Sequence, residues 1–221
     1  MTKKVDVKEG ILAKNQVIAD RLKLLFSEKK VFVINFVSSP GSGKTSLLEK
    51  VLPILKERFR IFVIEGDLQT ENDAERIRKI GVDAHQITTN GACHLEAAWV
   101  EKVVSKLDLD KIDIIVIENV GNLVCPSSYD LGEDLKAVVV STTEGEDKPI
   151  KYPSMMRVSS AFVLNKIDLV PYLNFNLDKC IDYARGVNGS LEFFKTSCFT
   201  GEGIREFAEW IAKKAEEKIG K

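Results

Sequence analysis

The octet Ser38-Ser39-Pro40-Gly41-Ser42-Gly43-Lys44-Thr45 constrains this chain more than any other segment. It follows an apolar run, Val31-Phe32-Val33-Ile34-Asn35-Phe36-Val37, and precedes Leu47, Leu48, Val51 and Leu55 at helical spacing. Strand, glycine-rich turn and helix in that order are the context of a phosphate-binding loop. Such a loop aims backbone N–H groups and a helix N-terminus at phosphate oxygens. Gly41 and Gly43 let the backbone approach closely, Lys44 brings a charge to the outer phosphates, and Thr45 offers a hydroxyl to magnesium. Ser42 and Ser46 complete the phosphate-side candidates. One departure is visible, since Ser38 stands where the pattern has its first glycine.

A second motif lies far downstream, where Asn165-Lys166-Ile167-Asp168 follows the apolar run Ala161-Phe162-Val163-Leu164. An aspartate carboxylate is an acceptor only, so Asp168 matches the paired N–H and NH₂ donors on guanine's edge. Adenine presents an acceptor and no amino group there. Asn165 is placed to bridge base and phosphate loop, and the Lys166 stem to cover one face of the ring. The two motifs together predict a GTP site.

Alternating apolar runs and amphipathic stretches predict an α/β fold, a doubly wound and mostly parallel sheet of the phosphate-loop GTPase type. Strands are predicted at Ile61–Ile64, Ala84–Ile87, Ile112–Ile117, Ala137–Val140, Ala161–Leu164 and Leu191–Phe194. Helices are predicted at Glu71–Ile80, Cys93–Leu107, Leu177–Val187 and Ile204–Ile219, with Pro53 as a kink or stop in the helix after the loop. Ile11, Ile18, Leu22 and Leu25 predict a further helix within Gly10–Lys30. The expected organisation is an N-terminal helix, residues 1–30, packed on a GTPase domain, residues 31–221. With 32 basic and 33 acidic residues the chain has no electrostatic case for nucleic acid or a membrane surface. No apolar stretch approaches the roughly 20 residues of a membrane span and no signal-peptide pattern is present, so a cytoplasmic location is expected. Four scattered cysteines among 221 residues do not form a disulfide framework.

Other residues fall around the nucleotide. Glu118 ends the run Ile114-Ile115-Val116-Ile117 and Gly121 follows three residues on. Many GTPases have Asp-x-x-Gly there, holding magnesium and contacting the γ-phosphate through the glycine N–H. Glu65-Gly66-Asp67 offers Asp67 as a second magnesium-side carboxylate, with Asp73 a further candidate. Lys44, Thr45 and Glu118 are the expected catalytic set. Ser197-Cys198 follows the last strand, where GTPases often hold the base with a short loop through its backbone. No residue matches an intrinsic arginine finger, so slow unassisted hydrolysis is expected.

Cys93 and His94 are adjacent ahead of an apolar-periodic stretch, and Cys125 lies just downstream of Glu118. Two thiols and an imidazole on loops leaving neighbouring strands suit zinc or nickel and leave a position for water or a partner. Gly-Ala-Cys-His-Leu-Glu-Ala at 91–97, Glu-Asn-Val-Gly-Asn-Leu-Val-Cys-Pro at 118–126 and Thr-Glu-Gly-Glu-Asp-Lys-Pro at 143–149 resemble the accessory GTPases of nickel–iron hydrogenase maturation. The resemblance covers nearly the whole chain from about residue 10. It implies a GTPase that forms a homodimer when GTP-bound and, with other maturation proteins, helps insert nickel into the hydrogenase large subunit. It also implies that Cys93, His94 and Cys125 are the metal site at the dimer interface, taking Ni2+ or Zn2+. Some members carry Cys-rich or His-rich stretches near the N-terminus. Here the first cysteine is Cys93 and the first histidine His85, so transfer through the interface site is expected rather than nickel storage. Urease-maturation GTPases instead place their metal residues as Cys-Pro-His. Partitioning ATPases carry a signature lysine where Ser39 stands, and nucleoside kinases lack Asn-Lys-x-Asp.

Overall fold

Among the described residues the apolar runs form seven strands, β1 Phe32–Ser38, β2 Ile61–Asp67, β3 Asp83–Thr88, β4 Ile114–Glu118, β5 Leu135–Ser141, β6 Ala161–Asn165 and β7 Glu192–Thr196. They are seen in a computed structural model that describes residues 3–67 and 72–220, with side chains from Gly10 onward. Every neighbouring pair is parallel, in the order β3-β2-β4-β1-β5-β6-β7. The connecting helices are α1 Lys3–Glu28, α2 Lys44–Leu55, α3 Asn72–Lys79, α4 Ala97–Val104, α5 Lys148–Lys151, α6 Pro153–Val158, α7 Leu177–Val187 and α8 Ile204–Ile219.

The central strands are apolar throughout because helices cover both faces. Alternation along β1 sends Phe32, Ile34 and Phe36 to one face, packed with Leu47, Leu48 and Val51 of α2 and Phe207 and Ile211 of α8. Val33 faces the other way, with Ile115 and Ile117 of β4, onto Ala19, Leu22 and Phe26 of α1 and Val100 and Val103 of α4. Beside them, Val138, Val140, Phe162 and Leu164 of β5 and β6 pack on Met155, Met156, Cys180 and Ala184. Leu22 and Phe26 are buried, and each contributes roughly 1.5–3 kcal/mol by leaving water. The N-terminal helix therefore shares the core of the sheet.

The structure corrects two expectations and adds two short helices. The helix expected from Cys93 begins only at Ala97, and residues 93–96 are irregular. Tertiary partners hold that segment's amides, since Leu95 N–H donates to Asn119 Oδ1 at 3.2 Å and Ala97 N–H to Asn15 Oδ1 at 2.8 Å. Helix α2 runs through Pro53 and ends two residues later at Leu55, so the proline is not an immediate stop. Helices α5 and α6, each starting near a proline, are too short to leave a periodic signal. Glu71, expected to begin α3, lies outside the described residues.

The topology gathers the carboxyl ends of β1, β2 and β4, where the phosphate loop, Asp67 and Glu118 sit, beside those of β6 and β7, which carry the Asn165–Asp168 tetrad and Ser197. Ligands of doubly wound sheets bind outside these ends.

Candidate functional site

The phosphate loop turns between β1 and α2 with Gly43 as the helix N-cap in a left-handed conformation, φ 93°. A Cβ at Gly43 would lie 2.7 Å from Asn165 Nδ2, so only glycine fits between the loop and the tetrad. Lys44 Nζ donates to Ser38 Oγ at 2.9 Å. The serine at the pattern's first glycine thus holds the loop lysine across the turn. Ser42 Oγ lies 2.8 Å from Ser39 O and 2.5 Å from Glu144 Oε1, which brings the turn after β5 onto the loop. Sequence reading did not single out Glu144, because this contact spans 102 residues.

Thr45 Oγ1 donates to Glu118 Oε1 at 2.7 Å, and Lys44 Nζ is 3.9 Å from the same oxygen. Glu118 Oε2 is buried with no hydrogen-bond partner among the described residues. Glu65, named in its strand but not as a site residue, sits opposite Glu118 in the β2–β4 register. It is buried, and Oε1 is likewise unpartnered among the described residues. Burial and then the Glu118 charge push the Glu65 carboxyl well above its ordinary value. Burial raises Glu118 as well, but Lys44 and the Thr45 hydroxyl oppose that. Of the pair, Glu65 is therefore the one that holds a proton more tightly. Asp67, Asp73, Arg76, Gly121 and Lys166 complete a cavity of about 500 Å³ around Lys44 and Thr45. The Arg76 guanidinium is held by Glu49 at 2.7 and 3.0 Å, by Asp73 at 3.2 Å and by Ser46 Oγ at 3.0 Å. Hydroxyl and carboxylate oxygens, including the orphaned Glu118 Oε2, are a donor set that fits a magnesium ion.

On the base side, Asn165 is buried between loop and sheet. Its Nδ2 donates to Ser42 O at 3.0 Å and its Oδ1 accepts from Thr196 Oγ1 at 3.1 Å. Lys166 has a left-handed backbone, φ 61°, and its Nζ donates to Gly41 O at 2.8 Å, so the stem runs from tetrad to phosphate loop. Asp168 Oδ1 accepts from Ser197 Oγ at 2.5 Å, and that hydroxyl accepts from the N–H groups of Phe199 and Thr200 at 3.2 and 3.1 Å. The Ser197 N–H is spent on Glu202 O, while its side chain orients Asp168. Cys198 Sγ lies 3.5 Å from Asn165 Oδ1, and burial raises its thiol pKa.

The second cluster lies beyond β4. Cys93 Sγ is 2.8 Å from Cys125 Sγ and 3.7 Å from His94 Nδ1, and one donor atom from each of the three residues lies within 4.8 Å of the others. The His94 ring stacks against Tyr129 with centroids 3.8 Å apart, and burial lowers its pKa, so it is held as the neutral imidazole that ligates metals. The neighbouring Cys125 thiol, and then burial, raise the Cys93 pKa. Asn122 ties the two loops, since its Nδ2 donates to Cys93 O at 3.2 Å and its Oδ1 accepts from Val124 N at 2.8 Å. Two thiols and a neutral imidazole suit a nickel or zinc ion. Cys180, by contrast, is fully buried in the core and its thiol is pushed up to about 12.

Residues 32–195 match the family described as "CobW/HypB/UreG, nucleotide-binding domain". The hydrogenase maturation factor HypB of Escherichia coli (strain K12) is 49% identical over 207 residues, covering 94% of this chain and 71% of that protein. The hydrogenase/urease maturation factor HypB of Helicobacter pylori (strain ATCC 700392 / 26695) is 41% identical over 219 residues, covering 97% and 90% of the two chains. Among solved structures, HypB from Helicobacter pylori in complex with nickel superposes with a TM-score of 0.87 at 41% identity, over 93% of this chain and 97% of that one. The hydrogenase maturation factor HypB from Archaeoglobus fulgidus gives a TM-score of 0.86 at 32% identity, over 92% and 99%. With the phosphate loop, the parallel sheet and agreement along nearly the full length, the chain belongs to the CobW/HypB/UreG nucleotide-binding family, on its hydrogenase-maturation branch.

Proposed function

We propose that this chain is a metal-binding GTPase that hydrolyses GTP to GDP and phosphate, pairs into a homodimer when GTP-bound, and assists nickel insertion into the nickel–iron hydrogenase large subunit. One observation carries the reading above all: donor atoms of Cys93, His94 and Cys125 lie within 4.8 Å of one another, and the loop that carries Cys125 lines the phosphate cavity through Val120 and Gly121. Nickel is the cargo of this site, and the nickel complex of the Helicobacter pylori relative supports it over zinc.

In the nucleotide site the loop N–H groups from Gly41 to Ser46 cradle the phosphates, and Lys44 leaves Ser38 to neutralise the outer ones. Thr45, Asp67 and Glu118 are the residues that would hold magnesium, which neutralises charge on the phosphate oxygens as the γ-phosphoryl group transfers to water. Gly121 offers its N–H to the γ-phosphate. Asp168, oriented by Ser197, pairs with guanine, while Asn165 and Lys166 tie base to loop and Cys198 packs beside them. Phosphoryl transfer is mainly positioning plus charge stabilisation, so Lys44→Ala removes measurable phosphate release while circular dichroism stays native. Normal turnover in that variant overturns the assignment of the loop as the active site. Nothing in the composition calls for nucleic acid, and no helix among the described residues is long and apolar enough to cross a membrane. Action in the cytoplasm beside other hydrogenase maturation proteins fits this picture.

A further inference from the structure

Asn122 is absorbed by neither the nucleotide chemistry nor the metal donor set, yet its side chain stands between them. Its amide makes two bonds with opposite polarity, donating to the carbonyl of Cys93 at 3.2 Å and accepting from the N–H of Val124 at 2.8 Å. One of those partners is a thiol-bearing residue and the other immediately precedes Cys125. One planar group therefore ties the backbone of Cys93 to that of the residue before Cys125, and the two thiols lie 2.8 Å apart.

On the other side of Asn122 the backbone is pinned to the phosphate loop. A Cβ at Gly121 would sit 3.0 Å from Pro40 Cα and 3.1 Å from Pro40 N, so Gly121 lies flush against the loop. Asn119, at the start of the same segment, accepts from the N–H groups of Leu95 and Val120 at 3.2 and 3.0 Å. Its Nδ2 lies 3.4 Å from Asn35 Oδ1 in the core of β1. The segment 119–122 is thus fastened to the sheet at one end and to the phosphate loop near the other. The Asn122 side chain is its contact with the carbonyl of Cys93. A backbone shift at Gly121 on engaging a γ-phosphate moves Asn122, and Asn122 then moves Cys93 relative to Cys125.

We propose that Asn122 is the positioning residue that sets the spacing of Cys93 and Cys125 and transmits the state of the nucleotide to the metal site. The proposal rests on the reading of Cys93, His94 and Cys125 as the metal donors and of Gly121 as a γ-phosphate contact. Because coupling between two ligands is reciprocal, it is measured as the ratio of metal affinities with and without nucleotide. A loosened loop lowers both affinities alike and leaves the ratio in place. Loss of the transmitting contact collapses the ratio.

The test uses the full chain, nickel(II) alone as the metal probe, and a non-hydrolysable GTP analogue with magnesium. Nickel affinity is read by competition with a chromophoric chelator and by the nickel–thiolate charge-transfer absorption. Wild type is expected to show an affinity ratio of at least about fivefold between the two nucleotide states, the lower end of typical coupling. In Asn122→Ala the ratio falls to within about twofold of one, with a shifted charge-transfer band. Asn122→Asp keeps the acceptor for Val124 N–H but cannot donate to Cys93 O, and it loses the ratio as well. It also keeps the test open if the alanine variant does not fold. A wild-type ratio in both variants, or a wild-type protein whose nickel affinity ignores the nucleotide, overturns the proposal. Cys125→Ala separates the two levels of inference. If it abolishes nickel binding while Asn122→Ala behaves as wild type, only the role of Asn122 fails. If it leaves nickel binding intact, the metal-site reading falls and the proposal with it.

Discussion

Asp168 shows how much a single side chain decides. Its carboxylate, proposed above to pair with guanine, accepts from the Ser197 hydroxyl at 2.5 Å. Asp168→Asn turns one acceptor into a donor, and at about 1.5–3 kcal/mol for a hydrogen bond to a charged group GTP affinity drops at least tenfold. Binding of xanthosine triphosphate, whose edge is reversed, rises in the same variant. Isothermal calorimetry with both nucleotides checks this, and unchanged GTP affinity removes Asp168 from the base site. Glu65 makes a different kind of prediction. Its folded-state pKa is raised above the ordinary 4.5, so the folded chain binds that proton more tightly than the unfolded chain. The stability this contributes is complete below the unfolded value and is lost as pH rises through the folded one. In protein free of nucleotide and magnesium, the thermal midpoint therefore declines as pH rises above the ordinary carboxyl value of 4.5, and Glu65→Gln flattens the decline. A pH profile identical to wild type means that Glu65 is ionised in the fold.

At the scale of elements, the segment leaving β4 is held from several sides. Gly121 abuts Pro40, Asn119 and Asn122 hold the loop before α4, and Lys136 of β5 donates to Pro126 O at 2.9 Å just past Cys125. Gly121→Ala has to move the phosphate loop or the β4 segment by a few tenths of an ångström. The expected result is weaker binding of the GTP analogue with little change in thermal midpoint, read by calorimetry and differential scanning. A loss of stability without a loss of affinity assigns the glycine to packing alone. Helix α1 is likewise part of the core. Phe26→Ala removes a ring packed among Leu22, Val31 and Ile115, costing about 3–5 kcal/mol in urea unfolding. Near-zero cost in that experiment means that α1 is a peripheral arm. The apolar face of α1 was legible from Ile18, Leu22 and Leu25, whereas Ile11, read onto the same face, is exposed. The start of α4 was not, because helical spacing continues back through Cys93 while the local backbone follows acceptors on Asn119 and Asn15.

For the whole molecule, the prediction concerns how its two sites act together. Cys93→Ala and Cys125→Ala each remove most nickel binding, and Cys180→Ala removes none, since its thiol is sealed in the core. Because Cys93 is held above its ordinary pKa of 9.0, it is a thiol at neutral pH and must lose its proton to ligate. Nickel affinity therefore rises with pH through the neutral range, with at least about one proton released per metal. His94, lowered by burial, is already neutral and adds no proton there. If the metal site lies across a two-fold axis, GTP analogue and nickel each favour the dimer and strengthen one another's binding. Equilibrium sedimentation with neither, either and both ligands reads this directly. A chain that stays monomeric in all four conditions is a GTPase with a metal site confined to one protomer.

The sequence by itself determined the parts whose chemistry is contiguous. The phosphate loop, the tetrad from Asn165 to Asp168, the run ending at Glu118 and the α/β alternation are short strings whose order and residue types carry their meaning. Tertiary structure alone decided what depends on register and on contacts between distant segments. Only the parallel β2–β4 pairing sets Glu65 beside Glu118, and only the packing of two loops brings Cys93 within 2.8 Å of Cys125. The same holds for the Ser197 hydroxyl, which meets Asp168 only because the β6–β7 pairing brings their two loops together. Motifs are written along the chain, whereas the partner of a buried carboxyl or thiol is chosen by the strand that packs next to it.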